Sequence, residues 1–303
     1  MNRFHGIIVA IVGVFITILS ALKVVPLLST GSALIFLGLL LFGLSFVPRP
    51  EADDMPRMPT AETLSKIFYA PTEVFRNLRR HPRWLVVLLI SAIFSTVYIN
   101  AFYYRLTPEK IVNFTVDKIA QSGFVSPDKV EEVRRQNLEQ ATNPVSRAGM
   151  AVNGFVGLVF ITAFIGLIYW VFGLAMGGNL NYWQAFSATA YSIFPVSVIT
   201  YLLSLIILFI KDPDQIHPLI GQNSLVQDNL NFLVSSAANP VIFTLLGAFS
   251  ILGFYRLWLN AVGLRNAGER ITPTIAWSAA ITVWVIGVLL AVVSAMIFGN
   301  FLG

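Results

Sequence analysis

Five long segments without a single Asp, Glu, Lys or Arg dominate this sequence. They are residues 24–48, 84–104, 148–210, 229–255 and 271–303. A helix that crosses a bilayer needs about 20 predominantly apolar residues. Only 12% of the 303 residues are charged, whereas soluble proteins average about 25%. The chain is therefore predicted to be an integral membrane protein, with an all-α fold of the polytopic transmembrane bundle type.

Turn and cap signals divide these runs into about seven spans. The stretch GGNLNYWQ interrupts the longest run, and Asn181 followed by Gln184 fits a capping box at the start of the next helix. The predicted spans are residues 6–22, 31–47, 84–104, 148–176, 185–210, 239–259 and a last segment from Thr272-Pro273 to near the C-terminus.

The spans and polar segments predict three units. Residues 1–47 form an N-terminal transmembrane hairpin, and residues 48–83 form a cytoplasmic linker with interfacial amphipathic helices. Residues 84–303 form a five-span domain, in which residues 105–147 are a small outer helical hairpin insert. Within that insert, Glu131 and Arg135 have the i,i+4 spacing of a helical ion pair.

The stretch FRNLRRHPRW, residues 75–84, places four arginines directly before an apolar run. A helix that begins at Pro71 would carry Val74, Phe75 and Leu78 on one face. This pattern predicts a helix in the membrane plane whose apolar side dips into the leaflet, with Trp84 at the interface. Four residues are then predicted to contact anionic lipid: Arg76, Arg79, Arg80 and Arg83. Nucleic acid is not predicted as a partner, because the basic residues mostly flank apolar runs.

The distribution of basic residues predicts the orientation. With the N-terminus inside, the inner segments carry eleven Lys and Arg, and the outer segments carry nine. Seven of those nine lie in the long insert, where charge has little influence on topology. The density of arginine before residue 84 therefore predicts a cytoplasmic N-terminus and an outer C-terminus.

Residues suited to catalysis are scarce in this sequence. Cysteine is absent, which excludes disulfides, thiolate nucleophiles and iron–sulfur clusters. His5, His81 and His217 are far apart in sequence and are interpreted as interfacial or loop residues. No metalloprotease, nucleophile-elbow or phosphate-loop motif occurs. We predict no enzymatic activity, no metal and no cofactor.

Arg256 is the one charged residue that falls within a predicted span. Two interpretations are open for it. The first is a side chain that reaches back to the cytoplasmic interface beside Trp258. The second is an inward-facing arginine near Asn260 that binds a lipid phosphate.

Small residues at four-residue spacing predict close helix packing in the bundle. The predicted packing positions are Gly149, Asn153, Gly157, Gly173 and Gly177. Packing within one chain is favoured over a homodimer face, although a homo-oligomer is possible. Inside the fifth span, Pro195 removes a backbone donor and is predicted to kink the helix.

Four stretches resemble the Yip family of Ypt/Rab-interacting membrane proteins. They are FYAPTEVFRNLRRHPRW, GGNLNYWQAFSATAYSIFP, DNLNFLVSSAANP and FYRLWLNAVGLRNAGERITPTIAWSAAI. The resemblance covers roughly residues 64–303. It implies five spans with the N-terminal side in the cytoplasm, so the first hairpin is additional. The chain has no counterpart of the DLYGP-type stretch of eukaryotic relatives, and it is similar to the compact bacterial form. The expected location is the bacterial inner membrane.

Two functions follow as hypotheses. The leading one is a non-enzymatic scaffold or adaptor that organises the membrane and offers its cytoplasmic segments to anionic lipid, or to another membrane or peripheral protein. The alternative is a transporter or lipid-handling protein with a neutral path between spans four to six. A continuous polar or lipid-sized groove would favour the alternative.

Overall fold

The computed structural model describes residues 3–50, 55–123 and 125–299. Within these ranges the chain is helical, with two isolated bridges and no β-strand. The α-helices are α1 Arg3–Ala21, α2 Leu28–Leu44, α3 Thr60–Lys66, α4 Pro71–Arg80, α5 Leu85–Leu106, α6 Pro108–Ser122, α7 Val130–Thr142, α8 Pro144–Ala175, α9 Tyr182–Ile210, α10 Ile220–Asn223, α11 Pro240–Gly247, α12 Ile251–Ala267 and α13 Pro273–Phe298. Parts of the predicted linker (51–54) and of the last predicted span (300–303) lie outside the described residues.

Five helices of the described chain are long and apolar enough to cross a membrane: α1, α5, α8, α9 and α13. This result confirms an all-helical integral membrane protein. The sequence predicted about seven spans, and the structure differs from this prediction at two places. Helix α2 has 17 residues, slightly fewer than a typical span. The predicted sixth span is not one helix but two, α11 and α12.

The first two helices form an antiparallel hairpin in which the backbones nearly touch. A Cβ atom added at Gly38 would lie 2.7 Å from the Cβ of Ala10, and one at Gly6 would lie 2.5 Å from the Phe42 nitrogen. Side chains at these glycines would force the helices apart. Such close approach is what holds helices together in lipid, where apolar surface gains nothing from leaving the solvent.

The break in the sixth predicted span lies between Gly247 and Ile251. Ser250 is extended and caps α12 by accepting a hydrogen bond from the Gly253 amide at 3.0 Å. Asp228, from the connection after α9, accepts hydrogen bonds from the Ser250 hydroxyl at 2.6 Å and the Leu252 amide at 2.7 Å. A carboxylate at a helix N-terminus neutralises orphan donors and the helix dipole, which explains why the chain tolerates a break here.

The insert is a helical hairpin of α6 and α7. Thr107 caps α6, and Gly123 ends it in the left-handed conformation that glycine adopts without strain. The predicted pair Glu131–Arg135 is wrong in detail, because Glu131 pairs with Arg134 at i,i+3 and 3.2 Å. Glu131 pairs with Arg134 and not with Arg135 because Arg134 also faces α6. There its guanidinium lies 2.9 Å from the carboxylate of Asp117.

The helices give the bundle two distinct ends. The basic end carries α3, α4 and the connection between α12 and α13. The insert end carries α6, α7 and residues 211–239. Helix α1 begins at the basic end, where the Arg3 guanidinium lies 4.6 Å from the centre of the Phe46 ring. Helix α13 finishes at the insert end, where Gly299 lies against Pro240.

Candidate functional site

Helix α4 packs on the bundle instead of lying in the leaflet. Its apolar residues Val74, Phe75 and Leu78 are fully buried by protein. The Phe75 ring lies over Gly263 of α12, where an added Cβ would come within 3.1 Å of it. The prediction that this face dips into lipid is therefore wrong. Because Gly263 has no side chain, the Phe75 ring can pack directly against α12. Protein contacts therefore replace the lipid contacts that amphipathicity alone predicts.

Trp84 likewise belongs to the protein core and not to the interface. It is buried, and its ring centre lies 5.1 Å from that of Phe186 on α9. The interfacial prediction fails because Trp84 belongs to the same buried cluster as Phe75 and Leu78 of α4. The indole is therefore enclosed between α4 and the start of α9.

The four arginines of FRNLRRHPRW have different surroundings. Arg76 is exposed. Arg79 forms an ion pair with Glu269 at 2.5 Å, and Arg80 lies 3.9 Å from the same carboxylate. Arg83 turns inward, where it donates to the Met58 carbonyl at 2.7 Å and to the Thr63 hydroxyl. Burial lowers the pKa of Arg83 below its ordinary value. The predicted set of lipid-contacting arginines therefore includes members that are engaged within the protein.

Glu269 fastens three elements at the basic end. Its carboxylate meets Arg79 of α4, and its backbone exchanges hydrogen bonds of 2.6 and 2.7 Å with Asn179 in the break between α8 and α9. The Arg79 guanidinium lowers the pKa of Glu269, so the carboxylate stays ionised. Helix α4, the turn at residues 177–181 and the α12–α13 connection are thus held in one arrangement. We call the surface formed by residues 57–80, which include α3 and α4, and by residues 265–272 the basic platform.

The linker before α3 is attached to the basic platform as well. The Asn77 side chain donates to the Pro56 carbonyl at 3.0 Å and accepts from the Met58 amide at 3.2 Å. Lys66 lies between Glu62 and Glu73, at 2.9 and 2.8 Å, and these carboxylates raise its pKa. The exposed arginines of the platform are Arg57, Arg76, Arg265 and Arg270.

A groove of about 540 Å³ lies between α8, α9, α12 and α13. Its walls are mostly aliphatic and aromatic side chains. The rim residues Ile161, Phe164 and Leu290 are exposed, so the groove opens sideways through an apolar rim. The broken segment contributes Ala248 and Ser250 to the lining. Irregular backbone at membrane depth is tolerated where it is buried in protein or lines a cavity.

Arg256 and Asn260 line the groove from successive turns of α12. Arg256 forms no hydrogen bond or ion pair with any residue that the structure describes. Asn260 is only 8% exposed, and its Oδ1 is a buried acceptor without a partner in the described chain. These two side chains give an apolar groove a positive charge and an unsatisfied amide.

A second cleft, of about 300 Å³, lies between α5, α8 and α9 toward the insert end. It is lined by hydroxyl groups, including those of Ser95, Thr96 and Tyr201. Arg147 lies beside it but is already engaged, because it donates to Asn100 and sits 5.9 Å from the centre of the Tyr103 ring. This cleft therefore presents hydroxyl groups without a free charge.

The predicted packing residues occupy varied positions. Gly149 lies against Leu27 and Thr30 of the first hairpin, and the Asn153 amide donates to Ser29 at 3.2 Å. Gly173 packs tightly against Leu180, whose Cδ2 would lie 3.3 Å from an added Cβ.

Two glycine predictions are wrong. The described residues leave open space beside Gly157 and Gly177. The face of α8 at Gly157 is exposed, and Gly177 has the positive φ of 79° of a turn residue. The bend at Pro195 stays a prediction; α9 continues through that residue.

The arrangement of polar groups is suited to binding more than to bond-making chemistry. Among the described residues, no group of three or more His, Asp or Glu side chains could hold a metal ion. His217 accepts from two backbone amides, at 3.2 Å each, in a loop at the insert end. His81 contacts the Met55 carbonyl at 2.7 Å, at the basic end. His217 and His81 thus take part in local hydrogen bonds.

Three features of the site were not predicted from the sequence. Asp228 and Ser250 are 22 residues apart, and Arg79 and Glu269 are much further apart, so only the fold reveals the pairs. Gly166, where an added Cβ would lie 2.9 Å from the Phe186 backbone, sits at the α8–α9 contact. The polar sequence DNLNFL before span six was a signal that this connection has structure of its own.

Comparison with known proteins gives one finding on identity. The family model described as "Yip1 domain" matches residues 65–296, which is well over half of the chain. Searches of curated proteins and of solved structures give no significant match.

Proposed function

The chain belongs to the Yip1 domain family, and from this membership we propose that it is a non-enzymatic scaffold or adaptor that organises the membrane. Its place would be the bacterial inner membrane, with the N-terminus inside and the C-terminus outside. The basic platform would contact anionic lipid and a further membrane or peripheral protein.

The observation that carries this proposal is the preformed state of the basic platform. Helix α4 is seated on α12, and Glu269 ties it to two other elements before any partner is present. Binding to a preorganised surface costs less conformational entropy than binding that must order a segment. The platform keeps four exposed arginines: Arg57, Arg76, Arg265 and Arg270. Each basic group near an anionic leaflet contributes about 1 kcal/mol.

A photo-crosslinking experiment tests the scaffold role. Tyr69 on the basic platform is 71% exposed, and Tyr104 at the insert end is 82% exposed, which makes the two a matched pair. A photoreactive phenylalanine at position 69 in native membranes should give discrete protein adducts that the R76E/R265E variant loses. Position 104 is the control. Equal adduct patterns at the two positions, or none at position 69, would contradict an adaptor surface on the platform.

The groove favours a second candidate, a lipid-handling protein. Its size falls within the range of about 300–1,000 Å³ that is usual for small-molecule sites, and it opens through an apolar rim. Reconstitution into vesicles with fluorescent phospholipid in one leaflet tests this function. Accelerated movement between leaflets would support it, and a rate equal to that of protein-free vesicles would reject it.

A further inference from the structure

We infer that the groove between α8, α9, α12 and α13 is a binding site for one anionic phospholipid, whose phosphate lies between Arg256 and Asn260. This inference rests on the lipid-handling candidate, for which it supplies a defined ligand and site. The acyl chains would occupy the apolar part of the groove, toward the exposed rim residues Phe164 and Leu290.

The depth of Arg256 is the first argument. Arg256 lies nine positions before Arg265, which is at the basic end of α12, and this offset corresponds to about 14 Å along the helix axis. Contacts with α13 give a second measure of the depth of Arg256. Phe249 at the break and Phe254 both lie 6.1 Å, between ring centres, from Trp284 near the middle of α13. Arg256 therefore lies near the middle of the bundle along its axis, with its side chain exposed at the groove, and an arginine at membrane depth is costly and commonly marks a functional site.

The absence of a protein counter-ion is the second argument. Within the described chain, Asp228 is the carboxylate nearest in the fold to the break, and it is occupied by Ser250 and Leu252. Arg256 has no ion-pair partner among the residues that the structure describes. A guanidinium binds phosphate oxygens through two parallel hydrogen bonds. A lipid phosphate would thus supply the negative charge that pairs with Arg256.

Asn260 is the third argument, because it is buried with an unpaired Oδ1. A buried polar atom without a partner costs free energy, so its retention needs an explanation. Arg256 and Asn260 are four residues apart and share one face of α12. The Asn260 amide can donate to a phosphate oxygen while its Oδ1 accepts from a headgroup hydroxyl, as a glycerol headgroup would provide.

The shape of the groove selects a lipid over a free phosphate ion. The groove is lined mainly by apolar side chains and opens through an apolar rim, so an ion would have to enter from the membrane side. Gly287 lines the same groove and has no described neighbour within 4 Å of its Cβ position. That space is available to a methylene chain.

Native mass spectrometry of the full chain, released from phosphatidylcholine nanodiscs doped with phosphatidylglycerol, tests the site. Arg256→Gln should lower phosphatidylglycerol retention about tenfold or more, because a charge-assisted hydrogen-bond pair is lost. Arg135→Gln, at an exposed arginine of α7 outside the basic platform, should change it by less than about twofold. Equal retention by wild type and R256Q would overturn the proposal.

Two further variants keep the test independent of folding defects. Asn260→Leu should raise the Tm without anionic lipid, since it removes an unpaired buried amide, and should reduce the added stabilisation by phosphatidylglycerol. Gly287→Phe should fill the chain region and lower retention, whereas Gly43→Phe, at an equally open glycine of α2, should not. If N260L and G287F both bound phosphatidylglycerol like wild type, the groove would not be the site.

A soluble headgroup distinguishes the source of the phosphate. Glycerol phosphate at excess should not displace phosphatidylglycerol, and full displacement would show a polar anion site and overturn the lipid assignment. Retained phosphatidylglycerol without movement of lipid between leaflets would leave the site standing and reject the lipid-handling function. Adducts at position 69 should persist in R256Q, because the basic platform is a separate surface.

Discussion

The Ser250 hydroxyl donates a hydrogen bond of 2.6 Å to the carboxylate of Asp228, and this pair caps α12 at the break in the sixth predicted span. The same carboxylate accepts from the Leu252 amide at 2.7 Å. The broken span is therefore stabilised by a residue from the connection after α9. This connection cannot shift without uncapping the helix that carries Arg256 and Asn260.

The cap predicts a stability difference between two substitutions of Asp228. Asp228→Ala removes the acceptor for two donors and should destabilise the protein by about 1–3 kcal/mol. Asp228→Asn keeps one acceptor oxygen and should lose less. The Tm in detergent and amide exchange at residues 248–253 would measure the effect. An Asp228→Ala protein with wild-type exchange in that segment would show that the cap does not hold the break.

The Glu269 ion pair predicts a pH dependence at the basic end. Arg79 lowers the pKa of Glu269 below its ordinary value of 4.5. The pair therefore stabilises the fold above that value, and the stabilisation is lost as pH falls through the lowered pKa. Amide exchange at residues 177–181, corrected for the intrinsic exchange rate, should accelerate in wild type once the pH falls below 4.5. In Glu269→Gln it should be faster at neutral pH and change less with acid; an equally steep acid response in E269Q would point to a different group.

The first hairpin predicts a contrast between two glycines of α2. Gly38→Leu should drive α1 and α2 apart, because the Ala10 Cβ lies 2.7 Å from an added Cβ. Overpacking of this kind typically costs 1–3 kcal/mol. Gly43→Leu is the matched control, since no described atom lies within 4 Å of its Cβ position. The expected result is a Tm lowered by several degrees for G38L alone, and similar Tm values for the two variants would refute the close contact.

His217 predicts an acid-sensitive loop at the insert end. Its Nδ1 accepts from the Leu219 and Ile220 amides, which requires a neutral ring. Burial, and then Lys118, lower the pKa of His217 below 6.5. The loop is thus fully stable above pH 6.5 and should loosen as pH falls below it. His217→Asn keeps an acceptor that does not titrate, so the protection factors of the amides at residues 217–222, which are corrected for the intrinsic exchange rate, should become independent of pH between about 5 and 7. A persistent pH response in H217N would exclude the histidine as its origin.

The predicted orientation can be tested directly, because the natural chain contains no cysteine. Tyr69→Cys marks the basic platform and Tyr104→Cys marks the insert end, and both positions are exposed. A thiol reagent that cannot cross the membrane should label Y104C in intact cells, and Y69C only after permeabilisation. The reverse pattern would invert the topology.

Local patterns in the sequence determined most of the helices. The capping box at Asn181 and Gln184 formed as predicted, because it depends on a few neighbouring residues. The i,i+4 spacing of Arg256 and Asn260 likewise placed both on one face of α12. Membrane insertion followed from the uncharged runs, since a bilayer constrains length and polarity more than any partner residue does.

Only the tertiary structure decided which surface each helix covers. Periodicity showed that Phe75 and Leu78 share an apolar face, but a leaflet and a neighbouring helix are equally apolar, so amphipathicity could not choose between them. The absence of a side chain at Gly263 lets the Phe75 ring pack on α12, so this face is covered by protein. The break at Ser250 was hidden for a related reason. Its stability depends on Asp228, a residue from another segment, and a hydrogen bond between distant residues leaves no periodic signal in the sequence.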